Sequence, residues 1–393
     1  MIRQLRRTTA VLLTGAAAIV FWACAGGSAV GSSNDGAAGS SGESVSAATS
    51  YGVSRYVKNA DQAVGMTFDN KGRLLYNEKD SGRIIRFANG RKTVLATLSV
   101  TGGGESGLLG LTVDKSDNVY AYYTGSSANC PDPTKSTSDG DLQGHCVWAF
   151  KPASNGRLKA DHMVFSADHP SSAQNHVGGG LHIGPDGALY LSIGDLGEND
   201  DPDKGPGRSQ NLSLPFGKLL RLDPSGSDKA AAGNPGKCGN ADNSADRNTA
   251  DDRIFACGLR NTYGFAFDAS GRIWGSEAGD GCDEINIVKA GVNYGWEPPR
   301  TDCSGSGDGR PTLKVTGTPS GITVPTSSAA HGWRGDVFFC VFNDAKLTRY
   351  DPKTHKSSPL KKAAGKCTYD LTSRGSYIYM SSGDAIYRIK IKK

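Results

Sequence analysis

A pattern repeated from Tyr51 to the C-terminus limits the possible folds of this chain more than any other feature. Each copy has a short apolar strand, a turn of the Asp-x-x-Gly type, a second alternating strand ended by an acidic or polar stop, and a third strand. Copies begin at Val64-Gly-Met-Thr-Phe-Asp, Leu109-Gly-Leu-Thr-Val-Asp, Leu181-His-Ile-Gly-Pro-Asp-Gly, Phe265-Ala-Phe-Asp-Ala-Ser-Gly, Trp333-Arg-Gly-Asp-Val-Phe-Phe and Tyr369-Asp-Leu-Thr-Ser-Arg-Gly. Alternation over four to six residues around such turns predicts antiparallel hairpins, and no segment sustains a 3.6-residue period. Six copies over the residues after Tyr51 leave roughly 57 residues each, the size of a four-stranded propeller blade with its loops. The expectation is an all-β chain whose residues 51–393 form a six-bladed β-propeller with four-stranded antiparallel blades. A β-sandwich joined to a second domain would not space its repeats so evenly. Glycine, 53 of 393 residues, supplies the turns such a fold needs.

The segment before the repeats has a different character. Residues 1–24 run from a basic start (Arg3, Arg6, Arg7) through an apolar stretch (Ala10 to Trp22) to a small-residue exit, the layout of an export signal. Phe21-Trp22-Ala23-Cys24 also has the shape of a lipobox, which would make Cys24 a lipid attachment point, although Ala23-x-Ala25 would equally serve ordinary cleavage. Residues 25–50, almost wholly Gly, Ser and Ala, read as a flexible tether. The expected location is therefore outside the cytoplasmic membrane, as a lipoprotein on its outer face or as a freely exported chain.

Eight cysteines remain, with no C-x-x-C pair, and an even number in an oxidising compartment predicts disulfides. Sequential local pairing is expected, as Cys130–Cys146, Cys238–Cys257, Cys282–Cys303 and Cys340–Cys367, because each pair brackets a Gly/Asp/Ser-rich stretch. The formal charge of +5 is modest and includes the leader arginines, which argues against a nucleic-acid partner. After residue 24 no apolar stretch approaches the roughly 20 residues that cross a bilayer, so a membrane partner is expected only through a lipid anchor.

Five motifs then carry a resemblance. They are Gly107-Leu-Leu-Gly-Leu, the run from His176-Val-Gly-Gly-Gly to Ile193-Gly-Asp, Gly217-Lys-Leu-Leu-Arg-Leu-Asp-Pro, Gly258-Leu-Arg-Asn-Thr-Tyr-Gly, and Asp283-Glu-Ile-Asn-Ile to Asn293-Tyr-Gly-Trp. In this order the chain resembles the glucose/sorbosone dehydrogenase family, soluble quinoprotein aldose dehydrogenases on a six-bladed propeller. The resemblance implies a PQQ and calcium site at one end of the propeller, where an aldose C1 hydroxyl is oxidised to a lactone and electrons leave to an external acceptor. It implies His176 as the base and Arg260 and Asn261 as contacts to the quinone oxygens. It further implies Glu105 beside the cofactor, and calcium at Gly279, Asp280 and Glu284. A neutral imidazole suits the base role and a fixed guanidinium suits a developing anion. Glycines 178 to 180 would let backbone approach a flat cofactor, and His182 reads as structural.

Two stretches depart from the family pattern. Where the last blade usually presents arginines for the cofactor carboxylates, the chain reads Cys367-Thr-Tyr-Asp-Leu, and a lysine of the preceding blade is replaced by Asn343, with Lys346 close by. Losing such cations would remove charge-assisted hydrogen bonds of about 1.5–3 kcal/mol each. A second expectation therefore stands beside the enzyme, a cofactor-free propeller lipoprotein that binds a carbohydrate or protein partner. A calcium-dependent lactonase on a similar propeller is a third.

Overall fold

The computed structural model describes residues 50–135, 144–170, 174–197, 207–239, 251–297 and 307–392, all within one compact unit. Cys24 and Cys303 lie outside the described residues. The repeated turns form hairpins for a local reason. Asp69 Oδ1 accepts the N–H groups of Lys71 (3.1 Å) and Arg73 (2.8 Å), while its Oδ2 meets Arg73 Nε at 2.6 Å. Asp268 repeats the arrangement with Ser270, Arg272 and Arg272 Nε. In both turns a glycine takes the left-handed position, Gly72 at φ 77° and Gly271 at φ 82°, which a β-carbon would strain.

The described strands form six four-stranded antiparallel sheets. Their inner strands are Met66–Phe68, Leu108–Val113, Leu181–Ile183, Thr262–Phe267, Pro319–Thr323 and Leu371–Arg374. Each touches the next, and the sixth touches the first, so the sheets are the blades of a propeller around one axis. Between neighbouring blades lie apolar layers, such as Leu75, Leu108, Ala121 and Phe150 between blades 1 and 2. The fifth copy is displaced from its expected place. Trp333 ends a 3₁₀ turn (Ser328–Trp333) that leads into the second strand of blade 5, Val337–Val341. The inner strand is the earlier Pro319-Ser320-Gly321-Ile322-Thr323, which lacks apolar alternation and so gave no repeat signal.

The ring is closed by the ends of the chain. Tyr51–Lys58 forms the outer strand of blade 6, pairing with Ala385–Ile391 from Tyr51 opposite Ile391 to Lys58 opposite Ala385. Three of the expected disulfides are present, Cys130–Cys146, Cys238–Cys257 and Cys340–Cys367, with Cα separations of 5.5, 6.1 and 5.2 Å. In the loop-entropy account each contributes about 3 kcal/mol.

Five of the six second strands carry a small buried polar residue at or near their final positions: Asn77, Thr124, Ser192, Ser276 and Ser381. Each ties down backbone at the entrance to an inner strand. Asn77 Oδ1 accepts Val64 N and Gly65 N (3.0 and 2.8 Å), and its Nδ2 donates to Leu108 O and Leu109 O of the next blade (2.9 and 2.7 Å). Ser381 Oγ donates to Ala63 O across the closure, and Ser276 Oγ donates to Ser320 O of blade 5. Asn77→Ala leaves buried backbone groups of two blades without partners. Chemical denaturation is expected to show a loss of about 3 kcal/mol, against under 1 kcal/mol for an exposed control such as Asn89→Ala.

Candidate active site

Inner strands begin and second strands end at one face of the propeller, and the motif residues gather at that face. His176 precedes the inner strand of blade 3 and is held at φ 53°, a left-handed conformation uncommon for a residue with a side chain. Its conformation is fixed on three sides. The backbone N–H donates to Glu105 Oε2 (2.9 Å), the carbonyl accepts from Leu196 N (3.2 Å), and ring Nδ1 lies 2.7 Å from Asp195 Oδ1. A carboxylate at that distance accepts the Nδ1–H hydrogen bond, which keeps the proton on Nδ1 and leaves Nε2 as the acceptor nitrogen. Nε2 has no hydrogen-bond partner among the described residues, and the side chain is 13% exposed.

Asp195 links this histidine to blade 4. Its Oδ2 accepts Trp296 Nε1–H at 2.8 Å, and its own N–H donates to Arg260 O at 2.8 Å. Arg260 lies with its guanidinium 5.4 Å from the centre of the Trp296 ring and donates from Nη1 to Ala278 O at 2.9 Å. Below it, Glu277 accepts the N–H groups of Arg260 (2.5 Å) and Asn261 (2.9 Å) and the hydroxyl of Thr262. Asn261 is fully buried, its Oδ1 accepting Gly178 N (3.1 Å) and its Nδ2 donating to Glu105 (3.3 Å). His176 and Arg260 are thus held from beneath by a buried layer of Glu105, Asn261 and Glu277.

Sequence reasoning brought His176, Glu105, Arg260 and Asn261 to one place but missed what holds them: Asp195, Glu277, Trp296 and Lys79. Asp195 follows the second strand of blade 3 and Glu277 ends that of blade 4, where each repeat carries its acidic or polar stop, so a signal existed. Glycines 178 to 180 are set by protein contacts. A β-carbon on Gly178 would meet Ser192 O at 2.3 Å, and one on Gly180 would meet the Phe265 ring at 2.6 Å. His182 is structural as expected, packed edge-on to Phe265 with burial lowering its pKa to about 4.

Of the cations that could replace the missing arginines, Lys346, Lys366 and Arg374 are not directed to this face, whereas Arg208 lies beside the site and donates from Nη1 to Asp195 O at 3.1 Å. Lys346 pairs with Asp344, Lys366 donates to Ala364 O and lies near the Tyr387 ring, and Arg374 lies over Phe68 at the opposite face. Lys79 is at the right face, but its ammonium is buried against Asp80 and the carbonyls of Gly104 (3.2 Å) and Ser106 (2.9 Å). In the last blade Asp370 is half-buried and accepts Met66 N at 2.6 Å, and desolvation raises its carboxyl to about 7. A cavity of about 40 Å³ beside Arg260 is lined by Glu277, Gly279, Asp280, Glu284 and Trp296. Of its lining carboxylates, Glu277 accepts Asn261 N (2.9 Å) and Glu284 accepts Asn286 Nδ2 (2.9 Å), and neighbouring Asp283 accepts Gly279 N (3.2 Å) and is raised to about 6 by burial. No group of three or more His, Cys, Asp or Glu among the described residues could hold a metal ion. Those side chains do not make a calcium cage, and we derive no step through calcium.

The candidate site is thus an aspartate-held histidine and a stacked arginine at the strand-entry face of a six-bladed propeller. This chain belongs to the glucose/sorbosone dehydrogenase family, whose profile matches residues 60–374. It is 28% identical over 263 residues to quinoprotein glucose dehydrogenase B of Acinetobacter calcoaceticus, covering 61% of this chain and 51% of that protein. Aldose sugar dehydrogenase YliI of Escherichia coli is 33% identical over 150 residues, 36% of either chain. This chain therefore spans about half the length of the first of these relatives, and less of the second. Among solved structures, the PQQ-bound aldose sugar dehydrogenase of Streptomyces coelicolor superposes with a TM-score of 0.67 at 24% identity, over 88% of this chain and 99% of that one. At that identity the likeness speaks for the fold.

Desolvated carboxyls make stability depend on pH. Burial raises Glu277 to about 7, with the neighbouring Glu284 charge adding to the rise and the hydrogen bonds to Glu277 opposing it, and Asp370 is likewise at about 7. Between the ordinary carboxylate range near ~4 and these values the folded chain binds more protons than the unfolded one, so stability falls as pH rises towards 7. Melting temperature is expected to drop by several degrees from pH 5 to pH 8, and a Glu277→Gln, Asp370→Asn double variant to show a clearly flatter slope.

Proposed function

We propose that this chain is an exported sugar dehydrogenase that oxidises the C1 hydroxyl of an aldose to the lactone with PQQ as the acceptor, passing electrons to an external acceptor. The observation that carries this reading is His176, with Nδ1 fixed by Asp195 and Nε2 left as a partnerless acceptor near a stacked guanidinium. In this role Nε2 takes the hydroxyl proton, and Asp195, itself held by Trp296, stabilises the imidazolium that forms. Arg260 provides fixed positive charge for the quinone oxygens, while Asn261 and Glu105 keep His176 and Arg260 in register. PQQ, when bound, takes up the hydride from C1. These residues suit its quinone end. No arginine pair of the last blade would meet its carboxylates, where the chain reads Cys367-Thr-Tyr-Asp-Leu, so binding weaker than a fully anchored site gives is part of the proposal. Export is supported by the leader layout and by three disulfides of the kind that persist in oxidising compartments.

Dye reduction with aldoses in excess PQQ tests the reading. Turnover should require the added quinone and fall by about 10²–10⁴ in His176→Ala and Asp195→Asn, with the quinone dissociation constant little changed. No dye reduction with any aldose would contradict it. That outcome would favour the cofactor-free binding propeller, in which His176→Ala keeps its ligand.

A further inference from the structure

Charge is distributed very unevenly around the ring. Residues 51–58 and 346–393, which supply blade 6 and the outer half of blade 5, hold 14 Lys and Arg against three Asp, a formal +11. Residues 59–345 hold 27 against 34, a formal −7. Of the three aspartates in the basic part, Asp370 is half-buried in the strand-entry layer, and Asp351 faces Lys356 in the strand register, which leaves Asp384 on the surface.

The cations collect where the preceding chain joins the propeller. Arg55, Lys356, Lys361, Lys362, Lys390 and Lys392 are all exposed. Lys392 N donates to Ser50 O (3.0 Å), Lys362 Nζ donates to Tyr51 O (3.3 Å) and lies 5.3 Å from the Tyr51 ring, and Lys390 is opposite Gly52. Arg55 and Lys366 approach the Tyr387 ring from 5.6 and 5.9 Å. None of these cations has an acidic side-chain partner within salt-bridge distance among the described residues. The patch therefore lies on the rim of blade 6, where the 26 residues from Ala25 to Ser50 enter the fold.

We infer that this rim docks on the phosphate headgroups of an anionic lipid surface. Lysines and arginines at a membrane surface gain from its negative potential, and an acyl chain alone holds a protein only weakly and reversibly, so a basic patch is the usual second element of a stable anchor. The patch lies beside Ser50 and Tyr51, where the described fold begins. Blade 3, which carries His176, is opposite blade 6 in the ring, so docking leaves the strand-entry face open. No helix among the described residues is long and apolar enough to cross a membrane, and surface docking requires none. The inference does not depend on the dehydrogenase reading.

The experiment uses the full chain as Cys24→Ser, which removes any acyl contribution, and vesicles of phosphatidylcholine with or without phosphatidylglycerol. At low salt the protein should sediment at least tenfold more strongly with the anionic vesicles and be released by about 0.5 M NaCl. Replacing Lys361, Lys362, Lys390 and Lys392 with Gln should remove at least tenfold of that binding with the melting temperature unchanged. Replacing Lys71, Lys115, Lys159 and Lys289, exposed lysines elsewhere, should alter it less than twofold. Equal binding to both vesicle types, or an equal loss in the control set, would overturn the inference. So would full release by soluble polyphosphate at matched phosphate concentration, which would point to a free polyanion.

Discussion

Closure of the ring is the constraint on which everything else in this molecule depends. Six twisted sheets pack round one axis only if the last meets the first, and here the N-terminal strand Tyr51–Lys58 completes the blade built by the C-terminus. Ser381 extends the closure inward by bonding to Ala63 O, and Asp370 does so by accepting Met66 N–H. A propeller closed in this way has no free inner edge, and it aims six strand entries at one small face. The backbone at those entries cannot pair in the sheet ladders alone, so small buried polar side chains at the ends of the second strands complete its hydrogen bonding. One and three residues beyond Ser276 and Ser192 come Glu277 and Asp195, which hold Arg260 and His176. The candidate site is thus an extension of the interactions that hold the blades together.

The fold was more legible in the sequence than the site was. Asp-x-x-Gly turns act through neighbours two to four residues away, so Asp69 and Asp268 mark their hairpins wherever the rest of the chain goes. Blade 5 was misplaced because its inner strand, Pro319–Thr323, is recognisable only from its partner strand. Three local disulfides were readable from loop composition. At the site, the motif residues were visible, but their division of labour depends on burial. Glu105 and Asn261 bond to each other and to the backbone around His176 rather than lining open space. Trp296 acts through Asp195 from 101 residues away, a relation that no spacing within one repeat can reveal.

Composition also concealed the charge pattern. A formal +5 over the whole chain combines a −7 over residues 59–345, a +11 over the rest of the ring and a +1 from residues 1–50. Many of the chain's cations lie on the rim of blade 6, where the N-terminal strand joins the ring. The same near-neutral total thus bears on two separate questions, how tightly a tricarboxylate could be held at the axis and which way the propeller faces a charged surface.

The account stands or falls on hydrogen transfer at the axis. The most direct measurement is single-turnover reduction of PQQ-loaded protein with an aldose and with its C1-deuterated form. The account predicts that deuterium at C1 slows reduction severalfold in the parent protein. Reduction at the same rate with both sugars, or no reduction with either, would contradict it.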